Sequence, residues 1–348
     1  MENPFTLTFG RQPVSLISRE QQTAEIIEGF LQEHPDNQVI MLTGVRGSGK
    51  TVTMTGIANE LRSRRDWIVA DLNPERDMLQ MLAAELSNRP ALGQIFRDAS
   101  INLSFLGLGL SIDSEPPITD VTVALDRMLS ALTKRKKRVL ITIDEATATA
   151  GMKEFAAQFQ IYLRRNYQIF LIMTGLYENI YDLQNEKSLT FLYRAVKMEM
   201  EPLSTVMIAL KYQEVFGLGD AEAQDMARLT GGYAYAFQLL GYLCFRRKRD
   251  HRQVLPEFDA NLEQYVYEKI WSELSDKDQK ILLAMASVPD TKVEAIRTRA
   301  GISSGSFSVY RSRLMKKGLI RQTAYGHLDF TLPRFREFVR RCETIGES

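Results

Sequence analysis

The sequence predicts an α/β fold in which helices cover both faces of a mostly parallel sheet. Three observations support this fold class. Five short apolar runs alternate with helical segments, the first run ends in a glycine-rich segment, and the third run ends in two adjacent carboxylates. Such alternation favours parallel strands, because a helix between two strands returns the chain to the edge from which the next strand starts.

The five predicted strands are separated by helices or by longer insertions. In chain order they are "NQVIMLTG" (37–44), "DWIVADLNP" (66–74), "RVLITIDEATA" (138–148), "YQIFLIMTGL" (167–176) and "VKMEMEPL" (196–203). Helices are predicted from about 50 to 65, in "PERDMLQMLAAELSN" and in "EFAAQFQIYLRR". Segment 99–117 alternates apolar and polar residues with a phase slip at Leu106 and Gly107. This pattern predicts a hairpin or bulged strand, either a local edge element or an oligomer contact.

Beyond the fifth strand the pattern becomes wholly helical, and it changes again near Trp271. A chain of 348 residues is long enough for two or three domains. We therefore predict an α/β core over residues 1–203, a helical domain over 204–255, and a linker helix with a further module over 256–348.

The composition is that of an ordinary globular protein with a net charge of +1. The charge is uneven, since residues 271–348 carry 14 Lys and Arg against 9 Asp and Glu. This excess permits a nucleic-acid partner without requiring one. Two cysteines give no disulfide framework and suit a reducing cytoplasm. No signal peptide and no membrane span is expected, because no apolar run approaches about 18 residues.

The glycine-rich segment "GVRGSGKT", between the first strand and the following helix, fits a phosphate-binding P-loop. With the next helical position, its residues are Gly44, Val45, Arg46, Gly47, Ser48, Gly49, Lys50, Thr51 and Val52. The glycines let backbone N–H groups turn inward around phosphate oxygens, and the helix adds its positive N-terminal end. We predict that Lys50 bridges the β- and γ-phosphates of ATP and that Thr51 ligates Mg²⁺. The alternative is a glycine-rich turn without a ligand.

The third strand ends in Asp144 and Glu145. An unpaired charge near a core is costly, so something positive is expected opposite these acids. Beside a P-loop, Asp144 would hold Mg²⁺ directly or through water, and Glu145 would orient the attacking water and take its proton. The alternative is a strand that reaches the surface with two solvated acids. A water-activating pair favours ATP hydrolysis and argues against a small-molecule kinase.

Four more segments, "LISRE" (16–20), "FLIMTGL", "LTFLYRA" and "GGYAYAFQLLGYL", complete a family pattern. The chain resembles a bacterial AAA+ ATPase of the origin-recognition and STAND-like group over about residues 10–245, and more loosely beyond. The resemblance implies a P-loop NTPase sheet of the AAA+ (ASCE) type, a helical lid over 204–255 and a C-terminal winged helix-turn-helix. It also implies that the fourth strand lies between the first and the third, and that "LISRE" lies near the nucleotide base.

Two catalytic residues follow from the resemblance alone. Thr174, at the end of the fourth strand, matches the sensor-1 group near the γ-phosphate and water; a threonine that caps a strand is the alternative. Arg194, just before the fifth strand, lies where this family often carries an arginine finger for the γ-phosphate of a neighbouring subunit. A solvated arginine at a helix end is the alternative.

The lid motif departs from the family pattern. "GGYAYA" (231–236) has neither the sensor-2 arginine of many AAA+ lids nor the Gly-x-Pro of STAND relatives. Tyr233 and Tyr235 are expected either to cover the nucleotide or to lie in the lid core. The missing arginine predicts slow hydrolysis, which suits a switch better than a motor.

The C-terminal segment predicts three helices followed by two short strands. Ser275 and Asp278 form a capping-box-like helix start, and Gly301 and Gly318 end the second and third helices. This order is typical of a winged helix-turn-helix, whose third helix could enter a major groove. The candidate DNA-binding residues are Arg311, Arg313, Lys316, Lys317 and Arg321.

These observations lead to two hypotheses. The first is a switch that binds ATP and ADP, hydrolyses ATP and binds duplex DNA, with subunits of a homo-oligomer sharing sites through Arg194. The second is a signalling or defence scaffold whose winged helix binds a protein partner. A cytoplasmic location and no membrane partner are expected for both.

Overall fold

The computed structural model describes residues 2–8, 13–17, 19–102, 117–289 and 291–346. The chain divides into two compact units. We call residues 20–43 and 50–199 the sheet unit, and residues 1–19, 44–49 and 200–348 the helical unit.

The sheet unit contains five strands and the helices that connect them. The strands are β1 (Val39–Thr43), β2 (Trp67–Leu72), β3 (Arg138–Ile143), β4 (Ile169–Gly175) and β5 (Val196–Glu199). The helices are α1 (Glu20–Leu31), α2 (Lys50–Arg62), α3 (Met78–Ser87), α4 (Pro90–Asp98), α5 (Val121–Lys134), α6 (Ala150–Arg164) and α7 (Tyr177–Asn185), followed by a 3₁₀-helix over Lys187–Arg194.

All five strands are parallel and lie in the order β2-β3-β4-β1-β5. The predicted fold class is therefore confirmed, and each of the five predicted runs contains a strand. Strand β4 lies between β1 and β3, as the family resemblance implies. Every residue of β1 and β4 is buried, which requires cover on both faces of the sheet and explains their continuous apolar sequences.

An aromatic cluster closes the end of the sheet opposite the strands' carboxyl ends. The ring of Phe170 lies 4.9 Å from that of Phe30 and 4.8 Å from that of Trp67. The Arg138 guanidinium lies 5.6 Å from the Trp67 ring and donates a hydrogen bond to the Phe30 carbonyl, 2.6 Å away. These contacts fix α1 against the starts of β2, β3 and β4, so the carboxyl ends of the strands remain available for a site.

Helices α2, α3 and α6 have bounds that differ from the predicted ones, and helices α1 and α5 were not predicted. Helix α6 starts at Ala150, ahead of the predicted segment 154–165. Helix α2 ends at Arg62 rather than near residue 65. Helix α3 starts at Met78, where the Asp77 side chain caps the amide of Gln80. Helix α4, which has Pro90 in its first turn, was not predicted. The hairpin predicted in 99–117 lies, apart from its ends, outside the described residues.

The helical unit contains the remaining elements. Its first part comprises α8 (Thr205–Phe216), α9 (Asp220–Thr230), α10 (Ala234–Arg247), α11 (His251–Leu262), a π-helical turn (Glu263–Tyr267) and α12 (Glu268–Ser272). Its last part, which we call the C-terminal module, comprises α13 (Asp276–Ser287), α14 (Val293–Ala300), α15 (Ser304–Lys316), β6 (Ile320–Ala324), β7 (His327–Phe330) and α16 (Phe335–Gly346).

The core of the helical unit begins with the N-terminal segment. Phe5 is buried and contacts the rings of Tyr212, Phe216 and Phe237. Gly241 on α10 makes room for this ring, because a Cβ there would lie 2.5 Å from Phe5. One continuous apolar core extends from here through α8 to α16. The domain boundaries at 203 and 255 stay predictions.

The C-terminal module has the predicted order of three helices and an antiparallel strand pair. Ser275 and Asp278 form the predicted capping box at the start of α13. Gly301 and Gly318 adopt left-handed conformations (φ 59° and 69°) directly after α14 and at the end of α15. Glycine is favoured there because it has no Cβ to clash with the preceding turn. None of the helices in the described part of the chain is long and apolar enough to cross a membrane.

Candidate active site

Asp144 accepts hydrogen bonds from two threonine hydroxyls in the sheet unit. The Thr51 hydroxyl, on the first turn of α2, donates to Oδ2 of Asp144 over 2.8 Å. The Thr174 hydroxyl, at the end of β4, donates to Oδ1. Thr174 in turn accepts a hydrogen bond of 3.2 Å from the backbone N–H of Glu145. Four residues predicted from sequence thus lie together in one polar cluster.

The parallel sheet explains why these residues meet. In the register, Ile143 on β3 pairs with Met173 on β4, and Thr174 pairs with Leu42 on β1. Asp144, one residue beyond β3, therefore lies level with Thr174. Parallel strands end at the same edge of the sheet, where the loops that follow them form the sites of open α/β folds.

Glu145 adopts a left-handed backbone conformation (φ 54°) that is uncommon for any residue other than glycine. Its side chain is exposed, and within the described ranges its carboxylate has neither a hydrogen-bond nor an ion-pair partner. A strained backbone of this kind costs on the order of 1 kcal/mol and is typical of functional positions. The carboxylate is available to accept a proton from water.

The P-loop residues 44–49 belong to the helical unit. Gly47 and Gly49 have φ angles of 75° and 94°. The Ser48 N–H closes a turn on the Val45 carbonyl, 3.2 Å away. Such turns of left-handed glycines direct successive amides into an anion-binding concavity. Lys50, the next residue in the chain, begins α2 and is largely buried.

The outer carbonyls of the P-loop have partners in the same unit. The Tyr233 hydroxyl donates to the Arg46 carbonyl over 2.5 Å, and the Tyr235 amide donates to the Gly47 carbonyl over 3.1 Å. Arg19, in the predicted "LISRE" segment, donates to the Ser48 carbonyl over 3.3 Å. Burial lowers the pKa of the Arg19 guanidinium, and the Glu201 carboxylate opposes that shift.

Each unit carries groups of its own that fit part of a nucleotide with a divalent ion. The Ser48 hydroxyl is buried and has no hydrogen-bond partner in the part of the chain that the structure describes, as expected for a group that faces a ligand. The Thr51 hydroxyl and the Asp144 carboxylate are hard oxygen donors 2.8 Å apart. Across the described residues there is no cluster of three or more His, Cys, Asp or Glu that could hold a metal. The Thr51 and Asp144 oxygens suit Mg²⁺, which takes most of its ligands from phosphate and water.

The remaining predicted nucleotide-site residues lie outside this cluster. Val52 follows Thr51 in the first turn of α2. Arg194 is exposed at the end of the 3₁₀-helix, directly before Ala195 and β5, and has no ion pair within the described residues. Its predicted role as an arginine finger is untested by these contacts.

Arg313, a predicted DNA-binding residue, also supports the fold of the C-terminal module. Its guanidinium donates to both carboxylate oxygens of Asp278, which is only 1 % exposed, and to the Ser275 hydroxyl. It also lies 4.7 Å from the Tyr310 ring. Arg313 therefore compensates a buried charge at the start of α13, and its contact with DNA stays a prediction.

The other predicted DNA-binding residues lie on α15 and the strand pair. Arg311 lines a groove of about 600 Å³ between α14, α15 and the β6–β7 turn. Arg321 is exposed on β6, and Lys316 is exposed at the end of α15 with Lys317 directly after it. Residues that line the groove and that the sequence did not single out are Lys292, Glu294, Arg297, Ser304, Ser308 and Tyr325. The cationic residues among them were not predictable from the sequence, because single Lys or Arg residues at irregular spacing are normal on solvent-exposed helices.

A model of the family described as AAA ATPase domain matches residues 15–159. Residues 15–159 are therefore similar to an AAA ATPase domain. Residues 264–339 match a second family, which is described as a domain of unknown function (DUF8462). No curated protein matches the chain.

Two solved structures have the same fold as this chain. A Walker-type ATPase of Pyrococcus abyssi is 19 % identical and superposes with a TM-score of 0.69, covering 97 % of this chain and 99 % of its own. The ORC2 protein of Aeropyrum pernix, in its ADPNP-ADP complexes, is 14 % identical with a TM-score of 0.61 and 98 % coverage of both chains. These two structures share the fold of this chain.

Proposed function

We propose that the protein is an ATP-hydrolysing AAA+ switch whose nucleotide state controls the binding of duplex DNA by its C-terminal module, acting as a winged helix-turn-helix. The polar cluster of Thr51, Asp144, Glu145 and Thr174 carries the ATPase part of this proposal. It supplies a metal-binding hydroxyl and carboxylate, an unpaired carboxylate and an orienting threonine at the carboxyl edge of the sheet. The family match over residues 15–159 supports the same activity.

Each residue has a distinct task in the proposed reaction. The P-loop amides and the Lys50 ammonium bind the β- and γ-phosphates and neutralise their charge. Mg²⁺, bound by Thr51 and Asp144, would withdraw charge from the phosphate oxygens. Glu145 accepts a proton from the attacking water, and Thr174 fixes the Glu145 backbone through its amide.

Turnover is expected to be slow. An AAA+ lid that provides an arginine near the γ-phosphate stabilises charge there, but α10 begins after Tyr233 with Ala234 and Tyr235. Neither residue carries a positive charge. Slow hydrolysis would prolong the ATP-bound state, which is the property a switch requires.

The ATPase proposal is tested by Glu145→Gln. This variant keeps the size of the side chain but cannot accept a proton, so we expect ATP affinity within about twofold of wild type and a kcat at least 100-fold lower. Binding is measured by calorimetry and hydrolysis by phosphate release. Glu154→Gln, which changes an exposed carboxylate on α6, is the matched control and should hydrolyse normally. Wild-type turnover in Glu145→Gln would exclude Glu145 as the base.

The DNA part of the proposal is supported by the groove in the C-terminal module. Three cationic side chains line it, Lys292, Arg297 and Arg311, against one carboxylate, Glu294. The Arg311 Nε is buried and has no hydrogen-bond partner in the described part of the chain. Tyr325, at the turn between β6 and β7, is 98 % exposed. Cations with an exposed aromatic ring suit a sugar-phosphate backbone.

The DNA proposal is tested by the double variant Arg297→Gln with Arg311→Gln. Each lost phosphate contact should reduce the slope of log K against log salt by about 0.9, so binding should weaken and its salt dependence should flatten. Duplex binding is titrated with and without a non-hydrolysable ATP analogue. Arg299→Gln is the matched control, because Arg299 lies on the same helix but pairs with Glu343 outside the groove.

Two outcomes would contradict the DNA proposal. If wild-type protein shows no salt-dependent retention of duplex DNA, the module does not bind DNA under nucleotide control. If the double variant binds as tightly as Arg299→Gln, the groove is not the DNA surface. The first outcome would favour the alternative of a scaffold that binds a protein partner, which the exposed Val309 on α15 would also suit.

A further inference from the structure

The residue that precedes α10 contacts the P-loop directly. Tyr233 is 5 % exposed and its ring is part of the core of the helical unit. Its hydroxyl donates a hydrogen bond to the Arg46 carbonyl over 2.5 Å. Burial raises the pKa of the Tyr233 hydroxyl above its usual range, so the group remains a donor at any working pH. The lid motif, which lacks the arginine of many AAA+ lids, thus provides a neutral hydroxyl that donates to a backbone carbonyl of the P-loop.

The hydrogen bond fixes the direction of one peptide group. In a planar trans peptide the C=O of one residue and the N–H of the next point in opposite directions. A carbonyl of Arg46 held toward Tyr233 therefore turns the Gly47 N–H to the other side of the loop. The Gly47 N–H has no hydrogen-bond partner in the described ranges, so it is available to an anion.

The next peptide is held in the same way. The Tyr235 amide, in the first turn of α10, donates to the Gly47 carbonyl over 3.1 Å. This contact uses the backbone of Tyr235 and not its hydroxyl. Two consecutive P-loop carbonyls are thereby held by the start of a single helix.

The contacts of Tyr233 and Tyr235 with the P-loop require a residue without a side chain at Gly47. A Cβ on Gly47 would lie 2.3 Å from the Tyr233 hydroxyl oxygen and 3.0 Å from the Tyr235 Cβ. Its φ of 75° is also unfavourable for other residues. Only glycine allows the tyrosine to approach closely enough to bind the preceding carbonyl.

From these contacts we propose that Tyr233 is a positioning residue for nucleotide binding, whose hydroxyl orients the Arg46–Gly47 peptide so that the Gly47 amide faces the phosphates. The inference rests on the proposed ATP site. Tyr233 acts through the loop and does not touch the nucleotide. Without the hydroxyl, the Arg46 carbonyl loses its partner and the peptide can rotate, so part of the binding free energy is lost in reordering the loop.

The test is Tyr233→Phe, which removes one oxygen and keeps the ring. We expect the dissociation constants of MgATP and MgADP to rise about tenfold, the typical effect of losing one buried hydrogen bond. KM should rise by a similar factor. The kcat should stay within about twofold, because the residues that activate water are unchanged.

A matched control separates positioning from a loss of stability. Tyr212→Phe removes a fully buried hydroxyl that donates to a backbone carbonyl of the same unit, that of Phe237, over 2.8 Å. Tyr212→Phe should lower the melting temperature of the nucleotide-free protein as Tyr233→Phe does, yet it should bind nucleotide like wild type.

The outcomes are distinguishable. If wild-type protein binds no magnesium nucleotide, the proposed function fails and this inference fails with it. If wild type binds and Tyr233→Phe keeps the full nucleotide-induced rise in melting temperature, as Tyr212→Phe does, only the inference is overturned. A tenfold loss confined to Tyr233→Phe, with kcat retained, would support it.

Discussion

Asp144 shows how much chemistry one side chain can organise at the end of a buried strand. It accepts hydrogen bonds from Thr51 and Thr174, which come from different elements. The residue types at these positions were predictable, because a P-loop requires a hydroxyl and a carboxylate for its metal ion. The left-handed backbone of Glu145 was not, since sequence gives no signal that a glutamate will adopt a glycine-like conformation.

Arg313 shows the opposite case, in which a residue predicted for binding supports the fold. Its cationic character and helical position agree with DNA contact, and only the structure reveals the buried Asp278 beside it. A charge that lies 1 % exposed is costly unless it is paired. The pairing is therefore the dominant constraint on Arg313.

This assignment predicts the stability of Arg313→Leu. Loss of the guanidinium leaves the Asp278 carboxylate buried and unpaired, so the free energy of unfolding should fall by about 2 kcal/mol, the low end of such effects because Arg313 is partly exposed. Urea denaturation measures it. Arg299→Leu, which breaks an exposed pair with Glu343, should cost less than about 1 kcal/mol.

The double variant Arg313→Leu with Asp278→Leu tests the pairing itself. It should be less destabilised than the sum of the single variants, because no buried charge is left unpaired. Additive single effects would show that the two side chains do not depend on each other.

At the scale of elements, the strands were predictable and their order was not. Continuous apolar runs of five to seven residues identify strands buried on both faces. Their order is β2-β3-β4-β1-β5. It depends on where each crossover connection places the next strand, and apolar runs of similar composition do not specify that placement. Here the family resemblance supplied what periodicity could not, namely that β4 lies beside β1.

Helix ends were predicted less well than helix positions. Helix α2 ends at Arg62 because the chain turns toward β2, although the following residues continue a helical pattern. The start of α10 was identified as a lid motif, but its contacts to the Arg46 and Gly47 carbonyls were not predicted. Local propensity is a weak determinant of such boundaries, which tertiary contacts decide.

At the scale of the whole molecule, Arg194 is a candidate for contact between copies of the chain. Arg194 is exposed directly before β5, a strand at the edge of the sheet. An exposed guanidinium at such an edge is accessible to a second copy of the chain. We propose that it contributes to the site of a neighbouring subunit.

A mixing experiment tests this proposal. Arg194→Ala retains Glu145, and Glu145→Gln retains Arg194, so each protein alone should be nearly inactive. In an equimolar mixture about one site in four combines an intact acid with an intact neighbouring arginine, and ATPase activity should recover to about a quarter of wild type. A mixture as inactive as its components, or full activity of Arg194→Ala alone, would contradict a shared site.

The sequence by itself determined the α/β class, the five strands, the P-loop and the acids that follow β3. The strands are recognisable from local periodicity, and the P-loop and the acids are recognisable because phosphate chemistry requires these residue types. Only the tertiary structure decided which cationic side chains pair with a carboxylate, and which side chains form hydrogen bonds to the P-loop. Arg313 against Asp278 and Tyr233 against Arg46 are contacts between residues 35 and 187 positions apart. Such pairs are selected by packing, in which burial makes every unpaired polar group costly, and no local pattern records them.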